Sequence, residues 1–385
     1  MHPPMKAIII GAGIGGLTTA IALQQQGIDY DIYEAAPECR AVGAGIMLGG
    51  NAMTVYERLG VGEAIRRVSI FPENIFVSNY KGKVLQQVSN AYIRQRYGQG
   101  AHLLHRATLQ QQLLQAVQRP VRWGKRFERL EHHPHGVVAY FEDGSTATAD
   151  LLIGADGIRS TVREKYVAPA TYRYSGQTCW RAIIPMTLTP EEQKNATEVW
   201  GNGNGLRASY MQVDGDRVYF WFTKKMPAGQ AFTGEAAIAF MKKELAHFSE
   251  RTQEVVAAIT PDMLLHADLY DFKPIDAWYK DKVVLLGDAC HATTPNLGQG
   301  ASQAIEDALM LARCLKQEKT ITDAFKKYQD SRMARVHKVV GMSWRLAQVT
   351  NWKGALATGL RDMIVRMIPH RITQQQMEFL YHLKW

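Results

Sequence analysis

With 385 residues, 46% of them hydrophobic, the chain can bury a large core and form two interleaved domains. Its formal charge of +9 suits anionic cofactors and acidic or phenolic ligands, whereas the scattered Lys and Arg residues form no long basic run and argue against nucleic acid. The four cysteines (Cys39, Cys179, Cys290 and Cys314) make no CxxC pair and no zinc spacing, which points to a cytoplasmic, reducing compartment and no metal.

The first predicted element is a buried parallel strand, Lys6-Ala-Ile-Ile-Ile10, leading through Gly11-Ala12-Gly13-Ile14-Gly15-Gly16 into a helix from Leu17 to Gln26. The 17 uncharged residues from Ala7 to Leu23 fall short of the roughly 20 that a membrane span needs. Neither a basic n-region nor a small-residue cleavage site accompanies them. A second strand, Tyr30 to Glu34, ends on an acid 18 residues after Gly16. This strand–turn–helix–strand context turns a weak GxGxxG match into a dinucleotide fingerprint. Gly11 permits the tight turn, Gly13 lets the backbone approach a pyrophosphate, and Gly16 lets helix and strand pack closely. Free N–H groups at the helix start face the phosphates, and Glu34 is expected to accept from an adenosine ribose.

Further along, a helix is predicted around Ala52 to Leu59. Short strands follow between Ile70 and Gln99, including Asn74–Ser78 and Val84–Val88. Arg106 to Val117 has helical spacing, with Leu109, Leu113 and Leu114 on one side. A hairpin is predicted from Val137–Phe141, the turn Glu142-Asp-Gly-Ser145 and Ala149–Ile153, just before Gly154-Ala155-Asp156-Gly157. Residues 172–223 read as several strands, among them Arg207–Val213 and Arg217–Phe222. Alternation puts Arg207, Ser209 and Met211 on one face. Helices return at 234–258 and 298–317. The pattern is α/β: a mostly parallel nucleotide domain (1–70, 100–171 and 270–350) interrupted by a sheet domain (71–99 and 172–269). A helical tail, 351–385, carries Lys353, Arg361, Arg366 and His370 among apolar residues. It is expected to pack across its own domain rather than rest on a membrane.

The third glycine-rich stretch is the most specific. Lys282–Leu286 reads as a buried strand with Gly287-Asp288 at its carboxyl end, where open α/β sheets bind ligands. Beyond it, Pro295-Asn296-Leu297-Gly298-Gln299-Gly300-Ala301 opens a helix aimed back into the same crevice. Asp288 is placed to bind a ribityl or ribose hydroxyl. His291 has no base or metal to pair with in the sequence and reads as structural or as lining the cofactor loop.

These residues resemble the single-component FAD-dependent aromatic hydroxylases, the group A flavoprotein monooxygenases. The resemblance runs to about residue 350 and rests on three motifs in order: GAGIGG at 11–16 with Glu34, GADG at 154–157, and GDACHATTPNLGQGA at 287–301. Arg40 before Gly43-Ala-Gly45-Ile46, and Arg106 heading a helix, also fit. It implies a Rossmann-like FAD domain of the GR2 type interleaved with a β-sheet substrate domain, plus C-terminal helices. It further implies non-covalent FAD held by Gly11, Gly13, Ile14, Gly15, Gly16, Glu34, Ala35, Arg40, Gly45, Ile46, Arg106, Asp156, Asp288, Pro295, Gly298, Gly300 and Ala301. NADPH or NADH would reduce the flavin, and O₂ would add at C4a to give a hydroperoxide that hydroxylates a small aromatic or heteroaromatic substrate. Within the family, Gly205-Leu-Arg207 and Tyr219 resemble urate hydroxylases and zeaxanthin-epoxidase-like enzymes, making Arg207 and Tyr219 the candidate catalytic pair. Trp180, Trp200, Tyr210 and Trp221 are candidates for stacking on a ligand or for sheet core. A halogenase or reductase of the same fold, or a redox-idle flavoprotein, stays open; Trp180-Arg-Ala182 lacks the second Trp of the halogenase motif. The chain is expected to be a monomer or homodimer.

Overall fold

The computed structural model describes residues 5–39 and 44–383. Runs of apolar residues ending in glycine build a five-stranded sheet in the order Tyr279–Lys280, Val283–Leu285, Leu151–Gly154, Lys6–Ile10, Asp29–Tyr33. Every neighbouring pair is parallel except the first. Strands buried on both faces need apolar side chains throughout, which is why Ile8, Ile9, Leu151, Leu152 and Val284 have no exposed surface. The register matters more than the count. Ile10 lies opposite both Tyr33 and Gly154, and Gly154 lies opposite Leu285. Gly11, Glu34, Ala155 and Leu286 therefore emerge side by side on one sheet edge, although they are far apart in the chain.

The second sheet has seven strands in the order Leu265–Phe272, Tyr172–Pro185, Arg217–Lys225, Arg207–Gln212, Asn195–Trp200, Asn74–Asn79, Val84–Ser89. Its two faces differ in chemistry. Trp180, Ala182, Ile184, Ala208, Phe220 and Phe222 pack under the helices Gly234–Glu244 and Glu250–Ala257. The opposite face carries Arg181, Trp221, Ser209 and Glu198 in one cross-strand row, with Ile183, Tyr219 and Met211 in the next. Leu265–Phe272 carries this sheet past the expected boundary at 269.

Three local expectations are corrected. Asn90–Tyr97 is a helix rather than a strand, because Ser89 caps it through Tyr92 N at 3.1 Å and Gly98 ends it. Ala149–Ile153 is not one strand. Thr146–Ala149 closes the hairpin with Gly136–Phe141, beside a further strand Phe127–His133, while Leu151–Gly154 joins the parallel sheet. Asp150 makes the switch, its Oδ2 accepting from Lys6 N at 2.7 Å. The helix expected over 234–258 breaks between Glu244 and Glu250. The C-terminal part runs as helices Ile321–Thr350, Ala355–Met367 and His370–Tyr381, with Leu380 and Tyr381 buried beside Ile93 and Val339. No helix among the described residues is long and apolar enough to cross a membrane.

Candidate active site

The edge where three glycine-rich stretches meet is shaped by backbone contact. Gly11 has φ +104°, and a Cβ there would sit 2.4 Å from the Ala155 carbonyl oxygen. A Cβ on Gly16 would lie 1.9 Å from the Gly11 carbonyl oxygen, so helix Ile14–Gln25 starts directly against the turn. Gly13 differs: its Cβ would meet nothing within 4 Å, which leaves the turn open on that side. Helix Ile14–Gln25 has no side-chain cap, and neither has helix Gly300–Gln317, which packs beside it through Gly15 and Ala304. Two uncapped helix starts thus present unsatisfied N–H groups and positive dipole ends to one crevice. Ile14 is buried beneath the turn, whereas Ala35 and Ala301 are half-buried. Glu34 accepts from Ala12 N at 2.8 Å and from Ala36 N at 2.9 Å, and each oxygen keeps a second lone pair. Gln110, which the sequence did not single out, donates to the Ala12 carbonyl at 3.0 Å.

Asp288 heads a short helix after Gly287, whose φ is +58°. Its side chain is solvent-accessible yet ringed by protein. Burial pushes its carboxyl up, opposed by the charges of His291 and Arg106. Arg106, also exposed, heads its own helix (Arg106–Ala116), so an acid and a base from distant stretches face the same space. Gly300 lies close by: a Cβ added there would be 3.9 Å from Asp288 Oδ1. Asp156 is used differently. It accepts from Ser160 Oγ at 2.5 Å and Val162 N at 3.1 Å, capping the next helical turn from beside Gly11. Burial still raises its carboxyl. Pro295 is exposed on a short turn, and Gly298 ends that turn with φ +60°. Arg40 lies outside the described residues.

The polar face of the seven-stranded sheet closes this crevice. The Tyr219 ring packs on Gly45, where an added Cβ would be 2.3 Å from ring carbons. Ile46, half-buried, follows in the strand Gly45–Leu48. Burial pushes the Tyr219 hydroxyl well above the usual phenol range despite the pull of Arg181, so it stays protonated at neutral pH. Arg207 is not a surface residue: it is 2% exposed. Its NH1 donates to Glu198 Oε1 at 3.0 Å, its NH2 to Asn296 Oδ1 at 2.6 Å, and its Nε to Thr223 Oγ1 at 3.4 Å. Arg207 thereby ties the sheet to the Pro295–Leu297 turn. Trp221 lies on this face beside Arg207, whereas Trp180 and Tyr210 belong to the opposite, helix-covered side. Trp200 sits under Arg361 and donates to Glu198.

His291 has the partner that the sequence did not reveal. Its Nε2 is 2.5 Å from Asp307 Oδ2, which also accepts from Gly287 N, while Arg332 Nε donates to Asp307 Oδ1 at 2.8 Å. Arg332 also binds Glu306. Glu306 accepts from Arg335 at 3.0 Å and from Asn51 at 2.6 Å. Asn51 donates to Gln299 at 3.0 Å, returning the network to the third motif. This buried lattice spans four helices, and of its side chains only His291 and Gln299 were singled out in the sequence.

The family described as FAD binding domain matches residues 4–343. The chain is 35% identical over 356 residues, 91% of each chain, to a FAD-dependent urate hydroxylase of Klebsiella pneumoniae. It is 32% identical to an aurachin C monooxygenase/isomerase of Stigmatella aurantiaca, covering 96% of this chain and 95% of that one. A crystal structure of Klebsiella pneumoniae HpxO with FAD and uric acid superposes with a TM-score of 0.89 at 33% identity, covering 98% of this chain and 96% of that one. A parallel sheet whose carboxyl edge gathers two bare helix starts has the form of a dinucleotide-binding site. The chain belongs to the FAD binding domain family of FAD-dependent aromatic and heteroaromatic hydroxylases, with FAD as its cofactor.

Proposed function

We propose that this protein uses NADPH or NADH and O₂ to insert one oxygen atom into a planar, carbonyl-bearing heteroaromatic ring of the purine or quinolone kind. The carrying observation is the Arg207–Asn296 bond at 2.6 Å, with Tyr219 seated on Gly45: substrate-sheet groups touch both cofactor-side loops. We assign residues 1–70, 100–171 and 273–350 to the cofactor domain, 71–99 and 172–272 to the substrate domain, and 351–385 to the tail, the boundary at 269 moving to the end of strand Leu265–Phe272.

The residues present fit FAD. The open side of Gly13 and the uncapped start of Ile14–Gln25 suit a pyrophosphate, with Gly11, Gly15 and Gly16 shaping the turn. Glu34 and the neighbouring Ala35 suit the adenosine end; Arg106 and Asp288 suit the polar middle; Gly45, Ile46, Pro295, Gly298, Gly300 and Ala301 suit the ring. Asp156 contributes by holding its turn against Gly11. When bound and reduced, FAD supplies the activation of O₂.

The chain's own residues then do the positioning. Tyr219, held protonated by burial, donates one hydrogen bond at the substrate ring edge. Arg207 carries five N–H groups, so donors remain beyond its three protein partners, and its charge is balanced by Glu198. A neutral or weakly acidic carbonyl substrate suits such a balanced pair. The uncapped start of Gly300–Gln317 favours negative charge developing beside it. Helices on one side of the sheet and the cofactor domain on the other exclude water.

The test is NADH and NADPH oxidation by the purified yellow protein against uric acid, phenols, indoles and quinolones, with products weighed by mass spectrometry. The expected result is substrate-stimulated oxidation and a product heavier by one oxygen. Oxidation that no compound stimulates would overturn the hydroxylase reading in favour of a redox-idle flavoprotein.

A further inference from the structure

We propose that helix Ala355–Met367 docks this protein flat on an anionic lipid bilayer, independently of which ring the active site takes. A surface helix ordinarily turns its apolar stripe to the core. This one is inverted. Its buried residues are Thr358 and Arg361, while Leu356 is 93% exposed and Met367 72% exposed. Leu360, Met363 and Ile364 are exposed on the same side, and at 3.6 residues per turn all five fall within an arc of about 100°. Trp352 and Ile372 extend the patch at either end, and Val84 continues it on the strand against which the helix packs. An apolar patch gathered on one helix marks an interaction surface rather than scattered exposure.

Charge identifies the occupant. Lys353, Arg366 and Arg371 are exposed around the stripe, and Lys81 and Lys83 are exposed on the adjoining turn. The one acid between residues 351 and 372 is Asp362, which is held by Arg361 Nε at 2.9 Å and Asn79 Nδ2 at 3.2 Å. A cationic rim around an apolar stripe with a Trp at its border is the pattern of an interfacial helix. A second copy fits poorly. A two-fold interface sets each patch against itself, bringing both cationic rims together. The helix has 13 residues, about 20 Å, so it lies on the surface and does not cross it.

The helix is also wired to the site. Arg361 NH2 donates to the Gly201 carbonyl at 3.0 Å, Asn204 N to the Trp352 carbonyl at 3.0 Å, and Gly205 N to the Thr350 carbonyl at 3.1 Å. These bonds grip the loop that enters the Arg207–Gln212 strand, so a docked helix holds the substrate sheet close to the bilayer.

The experiment is flotation of the FAD-loaded protein with phosphatidylcholine vesicles, with and without phosphatidylglycerol, alongside sedimentation velocity without lipid. Wild-type protein should float with phosphatidylglycerol vesicles and release as salt rises. Leu356→Asp with Met367→Asp should weaken partitioning by roughly tenfold or more, with flavin content and thermal midpoint unchanged. Arg366→Gln with Arg371→Gln should weaken it only on the anionic vesicles. No flotation with either vesicle, or equal flotation with both, overturns the proposal. So does a dimer in free solution that Leu356→Asp with Met367→Asp dissociates, since that makes the occupant a second copy.

Discussion

The roles proposed for Arg207 and Tyr219 put them at opposite ends of one geometric problem, holding a ring beneath the flavin. Arg207→Gln should keep FAD but break the tie to Asn296, so the ratio of hydroxylated product to NAD(P)H consumed falls severalfold and peroxide rises. Positioning contributes several kcal/mol of barrier, so even a small shift is costly. Tyr219→Phe keeps the ring on Gly45 and loses one hydrogen bond, so its coupling should fall less. Coupling equal to the parent in Arg207→Gln would confine that residue to a structural role. Arg106→Ala and Asp288→Ala probe the cofactor side. Each removes a proposed polar contact to FAD of about 1–3 kcal/mol, so FAD affinity should drop roughly fivefold to a hundredfold while circular dichroism stays unchanged. Unaltered flavin retention in both variants would move the site elsewhere.

At the scale of elements, the glycine turn and the buried ion lattice each hold two pieces together. Gly16→Ala places a methyl 1.9 Å from the Gly11 carbonyl oxygen, and backbone cannot yield as a side chain can. Overpacking of this kind costs about 1–3 kcal/mol, so both the melting temperature and flavin occupancy should fall. Arg332→Met takes one cation from each buried acid, leaving Glu306 with Arg335 and Asp307 with His291. Burial works against the Asp307 charge, but His291 and Arg332 outweigh it and hold the carboxyl down to about 2. Removing one partner from such a lattice costs about 3–5 kcal/mol, readable by urea titration. A loss under about 1 kcal/mol would mean that water replaces the guanidinium.

For the whole molecule, acid stability tests the burial of His102, which opens a strand paired with Gly45–Leu48. His102 is buried with Nδ1 2.8 Å from Ser69 Oγ, and burial, then Arg66 and Arg94, push it down to about 4. The unfolded chain binds this proton near pH 6.5 while the folded chain does not, so the contribution is complete above that pH. It is lost as pH falls toward 4, amounting to about 3 kcal/mol. The expected observation is a melting temperature that drops between pH 6.5 and 4, with His102→Gln flattening the drop. A slope unchanged in that variant would assign the acid lability to other groups.

What the sequence determined by itself is whatever depends on near neighbours in the chain. The strand Lys6–Ile10, its glycine turn and the helix beyond were legible because period and turn chemistry are local, and so was the facing of Arg207, Ser209 and Met211. The motifs also marked one sheet edge, since each glycine stretch follows a strand of the same sheet. Only the tertiary structure decided what depends on register and on which helices meet. It showed Asn90–Tyr97 as a helix fixed by a cap and split Ala149 from Leu151 at Asp150. It also gave His291 its partner 16 residues away on another helix, and buried Arg207 against Glu198 and Asn296. The inverted face of Ala355–Met367 belongs with these. Its apolar period predicts a helix, but which side meets the protein is settled by Arg361, whose bonds to Asp362 and Gly201 draw the polar face inward and leave the leucines in water.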